Sequence, residues 1–256
     1  MDTTHSSASG QRIILVTGGG TGIGRATARA FAEGGDRVVV VGRRPGPLEE
    51  TAAGHAGAIH PLPDDVSAPG GPERIVARVL ETHGRIDVLV NNAGIVRGGP
   101  LGSLTAEDVS AQLATNLVAP VLLTQAALPA LEAAGGGVVV NISTAVAQRG
   151  WPGSSVYAAS KAALDCLTRS WAVELAPRGV RVAAVAPGAV ETPIGEHQGL
   201  SPERQAEVRA WQVARTPLGR LGTPEEIAWA VCRLADARAS FLTGVVLYAD
   251  GGASVA

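Results

Sequence analysis

The apolar positions of the chain form short continuous runs, separated by longer segments with helical spacing. Strands are predicted at 12–17, 37–42, 86–91, 137–143, 180–186 and 244–249. Their consecutive apolar residues are typical of a parallel sheet that is covered by helices on both faces. Helices are predicted at 22–34, 72–83, 105–133, 154–177 and 224–236, with a weaker one at 47–54. This alternation predicts an α/β fold with a doubly wound sheet.

The rhythm runs through the chain without a linker, a composition shift or an internal repeat. The 256 residues, 46% of them hydrophobic, can bury a substantial core. We therefore expect a single domain over residues 11–256, preceded by a disordered tail at 1–10. Glu191 to Arg220 breaks the rhythm after the run at 180–186, and we expect this segment to form a substrate loop.

Charge and cysteine content narrow the class of function. The net charge is −2 and the arginines are dispersed, so we expect a small-molecule partner rather than nucleic acid. The first ten residues have no apolar stretch, and no run approaches about 18 apolar residues. We expect no signal peptide, no membrane span and a cytoplasmic location. Cys166 and Cys232 match no metal-binding or redox spacing, so we assign them no chemistry and expect no metal.

The stretch TGGGTGIG, Thr17 to Gly24, joins the first predicted strand to the first predicted helix. Glycine allows a sharp turn and a close approach of the backbone to a ligand, and a helix N-terminus offers free N–H groups to a phosphate. A tight turn without a ligand is the alternative. The position within a βαβ unit favours a dinucleotide-binding loop.

Tyr157 and the only lysine of the chain, Lys161, lie four residues apart in a predicted helix, so they share one face. A phenol has an unperturbed pKa near 10, and an ammonium within about 5 Å would lower it by about two to three pH units. The phenol could then transfer protons near neutral pH. Arginine's planar fork cannot replace a compact ammonium. An exposed helical pair is the alternative.

Several motifs together resemble the short-chain dehydrogenase/reductase family over about residues 12–252. TGGGTGIG resembles its cofactor loop, NNAG (91–94) its fourth-strand motif and YAASK (157–161) its catalytic motif. PGAVET (187–192) resembles the loop beside the nicotinamide, and LYADGG (247–252) resembles the last strand and turn. The resemblance implies a single Rossmann-type domain with a mainly parallel seven-stranded sheet flanked by helices.

The resemblance also implies a catalytic set of Asn116, Thr144, Tyr157 and Lys161. Asn116 would support a water relay to the lysine, and Thr144 would orient the substrate carbonyl where most members have serine. Ser143 is the second candidate for that hydroxyl. Consecutive strand residues point to opposite faces, so the two hydroxyls cannot serve equally.

The implied cofactor is NADP(H) rather than NAD(H). NAD-binding members usually have an acidic residue at the end of the second strand, where this chain has Gly42 followed by Arg43 and Arg44. Ordinary solvated surface is the alternative for the two arginines. The implied cofactor-binding residues are Gly18, Gly20, Thr21, Gly22, Ile23, Gly24, Arg43, Arg44, Asp65, Val66, Asn92, Ala93, Gly94, Tyr157, Lys161, Pro187, Gly188, Val190 and Thr192.

These expectations define an NADP(H)-dependent oxidoreductase that transfers a hydride between nicotinamide and a ketone or secondary alcohol. A non-catalytic NADP sensor, a 3-oxoacyl thioester reductase, and a family member with dehalogenase or epimerase chemistry are the alternatives. Trp151 and Trp211 flank the expected pocket and favour an apolar or aromatic substrate, although both could instead pack in the core or an interface. The resemblance implies a homotetramer, or a homodimer, through the helices at 105–133 and 154–177 and the C-terminus.

Overall fold

The computed structural model describes residues 11–148, 150–194 and 201–256, which form an α/β fold around one sheet. The described residues contain seven strands, all paired in parallel, in the order β3-β2-β1-β4-β5-β6-β7. They are β1 Ile13–Thr17, β2 Arg37–Gly42, β3 Ile59–Pro63, β4 Val88–Asn91, β5 Val138–Ile142, β6 Arg181–Pro187 and β7 Val246–Ala249. The predicted doubly wound sheet is confirmed. The strand order changes direction between β1 and β4, where such folds bind ligands.

β3 is the strand that the apolar pattern missed. Its sequence, IHPLP, contains Pro61 and Pro63, and proline cannot donate a backbone hydrogen bond to a neighbouring strand. The strand tolerates both prolines because it lies at the edge of the sheet and pairs with β2 alone.

The helices are α1 Gly22–Glu33, α2 Pro45–Ala52, α3 Gly71–His83, α4 Ala106–Leu113, α5 Ala119–Ala133, α6 Ser155–Leu175, α7 Pro202–Ala214 and α8 Pro224–Leu234. A π-helical turn, Ala114–Val118, joins α4 to α5, so the predicted helix at 105–133 is continuous but locally widened. α7 lies inside the segment from Glu191 to Arg220, where the sequence pattern predicts no helix. The predicted tail at 1–10 and residues 195–200 of the predicted substrate loop lie outside the described residues.

Each face of the sheet buries its own apolar layer. Ile14 and Val16 of β1 belong to the layer that also contains residues of α1 and α8. Ile13 and Leu15 belong to the other layer, with residues of α3, α5 and α6. This alternation is the period-two pattern of a strand that is covered on both sides. It leaves α5 and α6 together on one face.

A buried polar ladder connects α5 to α6 through the sheet. Asn91 Nδ2 donates to Thr124 Oγ1 of α5 at 3.1 Å and to Asn141 Oδ1 of β5 at 2.9 Å. Asn141 Nδ2 donates to Thr168 Oγ1 of α6 at 2.9 Å. All four side chains are buried. The ladder therefore fixes both helices relative to the ends of β4 and β5.

Within the described residues, the stretch Ala106–Ala133 is long and apolar enough to cross a membrane, judged by length and composition alone. Leu123, Ala127 and Leu131 of this stretch lie in the apolar layer under α5. Their burial accounts for part of its apolar composition.

Replacing Thr168 tests the polar ladder. We expect Thr168→Val to lower the free energy of unfolding by about 1–3 kcal/mol, because an amide N–H of Asn141 would stay buried without an acceptor. Thr82→Val is the matched control, since exposed Thr82 likewise donates to the carbonyl oxygen four residues earlier, at 2.9 Å. Urea denaturation measures both variants. Equal losses in the two would contradict the ladder's contribution.

Candidate active site

The residues singled out in the sequence follow the carboxyl ends of the strands or lie on the helices beside them. The segments are Gly18–Gly24 after β1, Arg43–Arg44 after β2, Asp65–Val66 after β3, Asn92–Gly94 after β4, Thr144 after β5 and Gly188–Thr192 after β6. Because all strands are parallel, these segments share one edge of the sheet. Asn116 lies in the π-helical turn, and Tyr157 and Lys161 lie on α6.

The glycine loop, Gly18–Gly24, turns sharply from β1 into α1. Gly18 and Gly22 have φ values of 64° and 51°, in the left-handed region that favours glycine. A Cβ atom at Gly24 would lie 2.2 Å from the Gly18 carbonyl oxygen, so a side chain there would displace the loop. The first turn of α1 has no acidic residue, and Thr21 caps it without a side-chain hydrogen bond. The free N–H groups of this turn fit the pyrophosphate of a dinucleotide.

Thr17, which the sequence reasoning did not single out, holds the glycine loop to the end of β4. Its hydroxyl accepts hydrogen bonds from the backbone N–H groups of Asn92 and Ala93, both at 3.0 Å. Asn92 Nδ2 donates to the carbonyl oxygens of Thr17, at 2.8 Å, and Gly18, at 3.2 Å. The side chain of Asn92 therefore supports the loop backbone. Nothing in the sequence distinguishes Thr17 from an ordinary strand-end threonine.

Asn116 anchors the loop that follows β4 beside Lys161. Its Oδ1 accepts from the backbone N–H of Ile95 at 2.9 Å, and its Nδ2 donates to the Ile95 carbonyl oxygen at 2.9 Å and to Ser160 Oγ at 3.3 Å. A Cβ atom at Gly94 would lie 3.5 Å from both Asn116 Oδ1 and Lys161 Nζ. Asn116, Gly94 and Lys161 therefore meet at one point.

Gln112 continues this anchor and was missed in the sequence. Its side-chain amide donates to the Arg97 carbonyl oxygen at 3.0 Å and accepts from the Arg97 backbone N–H at 3.1 Å. One signal was available in the sequence, since Gln112 is an amide four residues before Asn116 in an apolar helix. A buried amide requires hydrogen-bond partners, so its position indicated a structural role.

The two candidate hydroxyls point in different directions, as strand alternation predicts. The Thr144 side chain acts on the Tyr157 phenol and lowers its pKa, and the Thr144 hydroxyl lies 3.5 Å from the Pro187 carbonyl oxygen. Ser143 Oγ donates to the main-chain carbonyl oxygen of Lys161 at 3.4 Å. Thr144 is thus the hydroxyl beside the phenol.

Lys161 is almost completely buried, and its Nζ donates to the carbonyl oxygen of Ile142 at 2.7 Å. Burial lowers the pKa of Lys161 to about 8, against an opposing effect of Asp165. Burial raises the pKa of Tyr157, and the hydrogen bond with Thr144 opposes this change. The rise is opposite to the direction expected from the Tyr157–Lys161 spacing, because burial disfavours the charged phenolate.

The end of β2 presents arginines and no carboxylate. Arg43 is exposed and makes no hydrogen bond or ion pair with any residue that the structure describes. Arg44 is exposed at the N-cap of α2. At the end of β3, Asp65 Oδ1 accepts hydrogen bonds from the backbone and hydroxyl of Ser67, while Val66 is buried. An open guanidinium at this position fits a cofactor that bears a 2′-phosphate.

The loop after β6 reaches across to the glycine loop. A Cβ atom at Gly22 would lie 3.2 Å from Thr192 Cγ2. Val190 forms an isolated parallel bridge with Gly222, and the Gly188 N–H donates to the Ala249 carbonyl oxygen at 3.1 Å. Gly22 and Thr192 thus bring the loops after β1 and β6 together, while the other two contacts hold the loop after β6 on its own side of the sheet.

An aromatic contact joins α7 to the loop that precedes α6. The rings of Trp151 and Trp211 meet edge to face, with centroids 5.0 Å apart, and the Arg215 guanidinium lies 4.3 Å from the Trp211 ring centroid. The pair connects the predicted substrate loop to the segment that leads into α6, six residues before Tyr157.

Comparison with known proteins shows which family the chain belongs to. A family model described as enoyl-(acyl carrier protein) reductase matches residues 18–254. The 3-oxoacyl-(acyl-carrier-protein) reductase FabG of Thermotoga maritima is 39% identical over 94% of this chain and 97% of its own length. The cis-4-hydroxycyclohexanecarboxylate dehydrogenase of Sinomonas cyclohexanicum is 40% identical over 96% of this chain and 97% of its own.

A solved structure agrees as well. The 3-ketoacyl-(acyl-carrier-protein) reductase of Brucella melitensis, complexed with NADH, superposes with a TM-score of 0.89 and 31% identity, covering 97% of this chain and 100% of the other. The chain belongs to the short-chain dehydrogenase/reductase family, whose members use a nicotinamide cofactor. It is an oxidoreductase of that type.

The placement of the two hydroxyls generates an asymmetric prediction. We expect Thr144→Val to lower kcat about a hundredfold, because it removes a hydrogen-bond donor next to the phenol. Ser143→Ala should cost much less, since its hydroxyl faces the backbone of α6. Steady-state kinetics with any ketone that the unmodified enzyme reduces measures both variants. A larger loss in Ser143→Ala would move the role to Ser143.

Proposed function

We propose that the protein is an NADP(H)-dependent oxidoreductase that interconverts a ketone and a secondary alcohol of a free small molecule. The observation that carries the proposal is that Thr144 acts on the Tyr157 phenol, with Lys161 one turn further along α6, at the edge of the sheet where the glycine loop and Arg43 also lie. Phenol, hydroxyl and ammonium supply the proton, the carbonyl contact and the charge that hydride transfer to a carbonyl requires.

The residues divide the work around a substrate carbonyl. When bound, the nicotinamide supplies or accepts the hydride at its C4. Thr144 donates a hydrogen bond to the carbonyl oxygen and orients it toward Tyr157. Tyr157 gives its phenolic proton to that oxygen in reduction and takes the proton back in oxidation. Lys161 holds a positive charge beneath the phenol and binds the ribose, while Asn116 holds the adjoining loop and supports a water relay to Lys161.

The pKa values favour the reductive half of this cycle near neutral pH. A phenol whose pKa is raised by burial stays protonated, which is the form that reduction requires. A lysine with a pKa of about 8 is mainly charged at pH 7 and loses its proton above pH 8. The charged fraction of Lys161 therefore falls as the pH rises through about 8.

Support for NADP(H) comes from charge at the end of β2. Within the described part of the chain, most arginines have a carboxylate partner, as Arg25 has in Glu50 and Arg74 has in Asp64. Arg43 has none, and Gly42 places no carboxylate where a ribose 2′-hydroxyl would bind. A 2′-phosphate would give Arg43 a bidentate partner.

The substrate body is proposed to be apolar or ring-shaped. The wall formed by Trp151 and Trp211 favours such a surface. The relative from Sinomonas cyclohexanicum, named for a hydroxylated cyclohexane carboxylate, supports the same class. The proposed substrate loop at 191–220, which contains α7, carries one half of this wall.

Reduction of a 3-oxoacyl thioester is the second candidate, because the family description and the Thermotoga maritima relative are named for carrier-bound substrates. Charge argues against a carrier. Residues 98–148 contain no lysine or arginine and include Glu107, Asp108 and Glu132, whereas an acidic carrier protein would need a basic surface. A cofactor sensor without turnover is a weaker candidate still, since it would have no use for Tyr157 beside Lys161.

We also propose a homotetramer in the cytoplasm. Val118 at the end of the π-helical turn, Val173 on α6 and Leu247 on β7 are exposed apolar side chains, 47%, 78% and 37% accessible. They lie on the segments expected to form subunit contacts. Cys166 and Cys232 are unpaired, in keeping with a reducing compartment. Sedimentation of the purified protein at micromolar concentration measures the assembly, and a monomer would contradict it.

Absorbance of the reduced cofactor tests the proposed function. Cyclic, aromatic and open-chain ketones, and a 3-oxoacyl thioester with and without its carrier protein, are offered with NADPH or NADH. We expect turnover of free ketones that contain a ring. A strong preference for the carrier-bound thioester would contradict the proposal, and cofactor binding without turnover of any substrate would indicate a sensor.

Cofactor preference gives a separate prediction. We expect kcat/KM with NADPH to exceed that with NADH at least about tenfold, because a charge-assisted contact contributes about 1.5–3 kcal/mol. Arg43→Ala should raise KM for NADPH and leave NADH nearly unchanged. Gly42→Asp should shift the preference to NADH, because it supplies a carboxylate for the ribose 2′-hydroxyl. The backbone has room for the Cβ atom, which would lie 3.4 Å from Leu48 Cδ2.

Arg233→Ala is the matched control for Arg43→Ala, since Arg233 is another exposed arginine, near the C-terminal end of α8. It should leave both cofactors unaffected. Equal use of NADH and NADPH by the unmodified enzyme would show that Arg43 is an ordinary surface charge.

A further inference from the structure

Asp165 is an exception among the buried acids of the described residues. Asp36 and Asp87 are also buried, but each is paired with an arginine: Asp36 with Arg12 at 2.6 Å and Asp87 with Arg85 at 2.5 Å. Asp165 is 1% exposed, and neither of its carboxylate oxygens has a hydrogen-bond partner among the residues that the structure describes. Burying an unpaired carboxylate is costly, so its retention requires an interaction that offsets the cost.

The position of Asp165 indicates what that interaction is. It follows Lys161 by four residues and Tyr157 by eight on α6, so all three side chains share one face of the helix. Lys161 is itself buried. Like Asp165, it has no oppositely charged side chain within ion-pair distance among the described residues. The only lysine of the sequence and the only unpaired buried carboxylate among the described residues are therefore one helical turn apart.

The other groups that act on Asp165 come from each element packed against this face. Arg169 lies one turn further along α6, and Tyr248 lies on β7. The hydroxyl of Ser143 and the amide of Gln148 are the uncharged polar groups that favour its ionised form. Tyr248 is in turn influenced by Asp250. Within this set, Lys161 is the only cation that the proposed chemistry uses.

We propose that Asp165 is a positioning residue that acts through Lys161, as the counter-charge that keeps the buried ammonium protonated beneath the Tyr157 phenol. This role rests on the proposed function, because it matters only if Lys161 serves the phenol. Asp165 itself touches neither substrate nor cofactor in this account. Ser143, whose hydroxyl donates to the main-chain carbonyl oxygen of Lys161, favours the ionised form of Asp165 from the same site.

The titration behaviour of the two groups agrees with this geometry. Burial lowers the pKa of Lys161 to about 8, and Asp165 is the charged group that opposes the fall. Burial raises the pKa of Asp165, and Ser143, Arg169 and Lys161 oppose that rise. Each group thus favours the charged form of the other within a site that disfavours both charges.

The single lysine allows a direct test that does not depend on turnover. Protein labelled with carbon-13 lysine gives one side-chain ε-methylene signal, whose shift with pH reports the pKa of Lys161 without assignment. We expect Asp165→Asn to lower this pKa by about one pH unit, a tenfold change in proton affinity. The alkaline limb of the pH profile of kcat should move to lower pH by the same amount.

Asp87→Asn is the matched control, since it removes another buried carboxylate, at the amino end of β4, and should leave the Lys161 signal unchanged. If Asp165→Asn does not fold, Asp165→Leu replaces the carboxylate with an apolar side chain of similar size, an exchange that buried charges often tolerate. The same fall in the Lys161 pKa is expected there.

An unchanged or raised pKa of Lys161 in the folded Asp165 variants would overturn the proposal. Asp165 would then be a protonated, purely structural side chain that asparagine can replace. An equal fall in Asp87→Asn would overturn it too. If Asp165→Asn lowers the pKa of Lys161 as expected but the unmodified protein turns over no substrate, the counter-charge role of Asp165 is supported and the proposed function is contradicted.

Discussion

The ammonium of Lys161, buried against the Ile142 carbonyl, is the constraint around which the site is built. A buried charge is unfavourable unless it is surrounded by suitable partners, and the surrounding structure supplies them from three elements. β5 provides the carbonyl oxygen at 2.7 Å, the loop after β4 comes close at Gly94, and α6 provides Asp165 one turn away. Moving any of these elements would leave the charge poorly compensated.

The fold keeps these elements in register through buried polar contacts rather than apolar packing alone. The ladder from Thr124 to Thr168 fixes α5 and α6 on the same face of the sheet. Asn116 then ties the π-helical turn to the loop after β4, and through Ser160 to α6. Because these hydrogen bonds are directional, they set relative positions more narrowly than apolar packing can.

Much of this arrangement could be predicted from the sequence, since the glycine loop and the spacing of Tyr157 and Lys161 are local patterns. β3 was missed because it contains Pro61, which is tolerated only in a strand at the edge of a sheet. α7 was missed because its helical residues lie within a segment whose overall pattern is irregular. Thr17 acts through partners that are distant in sequence, so no local pattern reveals its role. Gln112 had one local signal, its position one turn before Asn116 in an apolar helix. The direction of the Tyr157 pKa was wrong because burial depends on the whole fold.

The site requires a compact ammonium at position 161, and the kinetics of Lys161→Arg test this requirement. Arginine keeps the charge but carries a wide planar fork into a space bordered by Gly94, Asn116 and the Ile142 carbonyl. With a ketone that the unmodified enzyme reduces, the account predicts a loss of kcat well beyond tenfold, with the protein still folded. Retention of more than about a tenth of kcat, a deficit below about 1.4 kcal/mol, would contradict it.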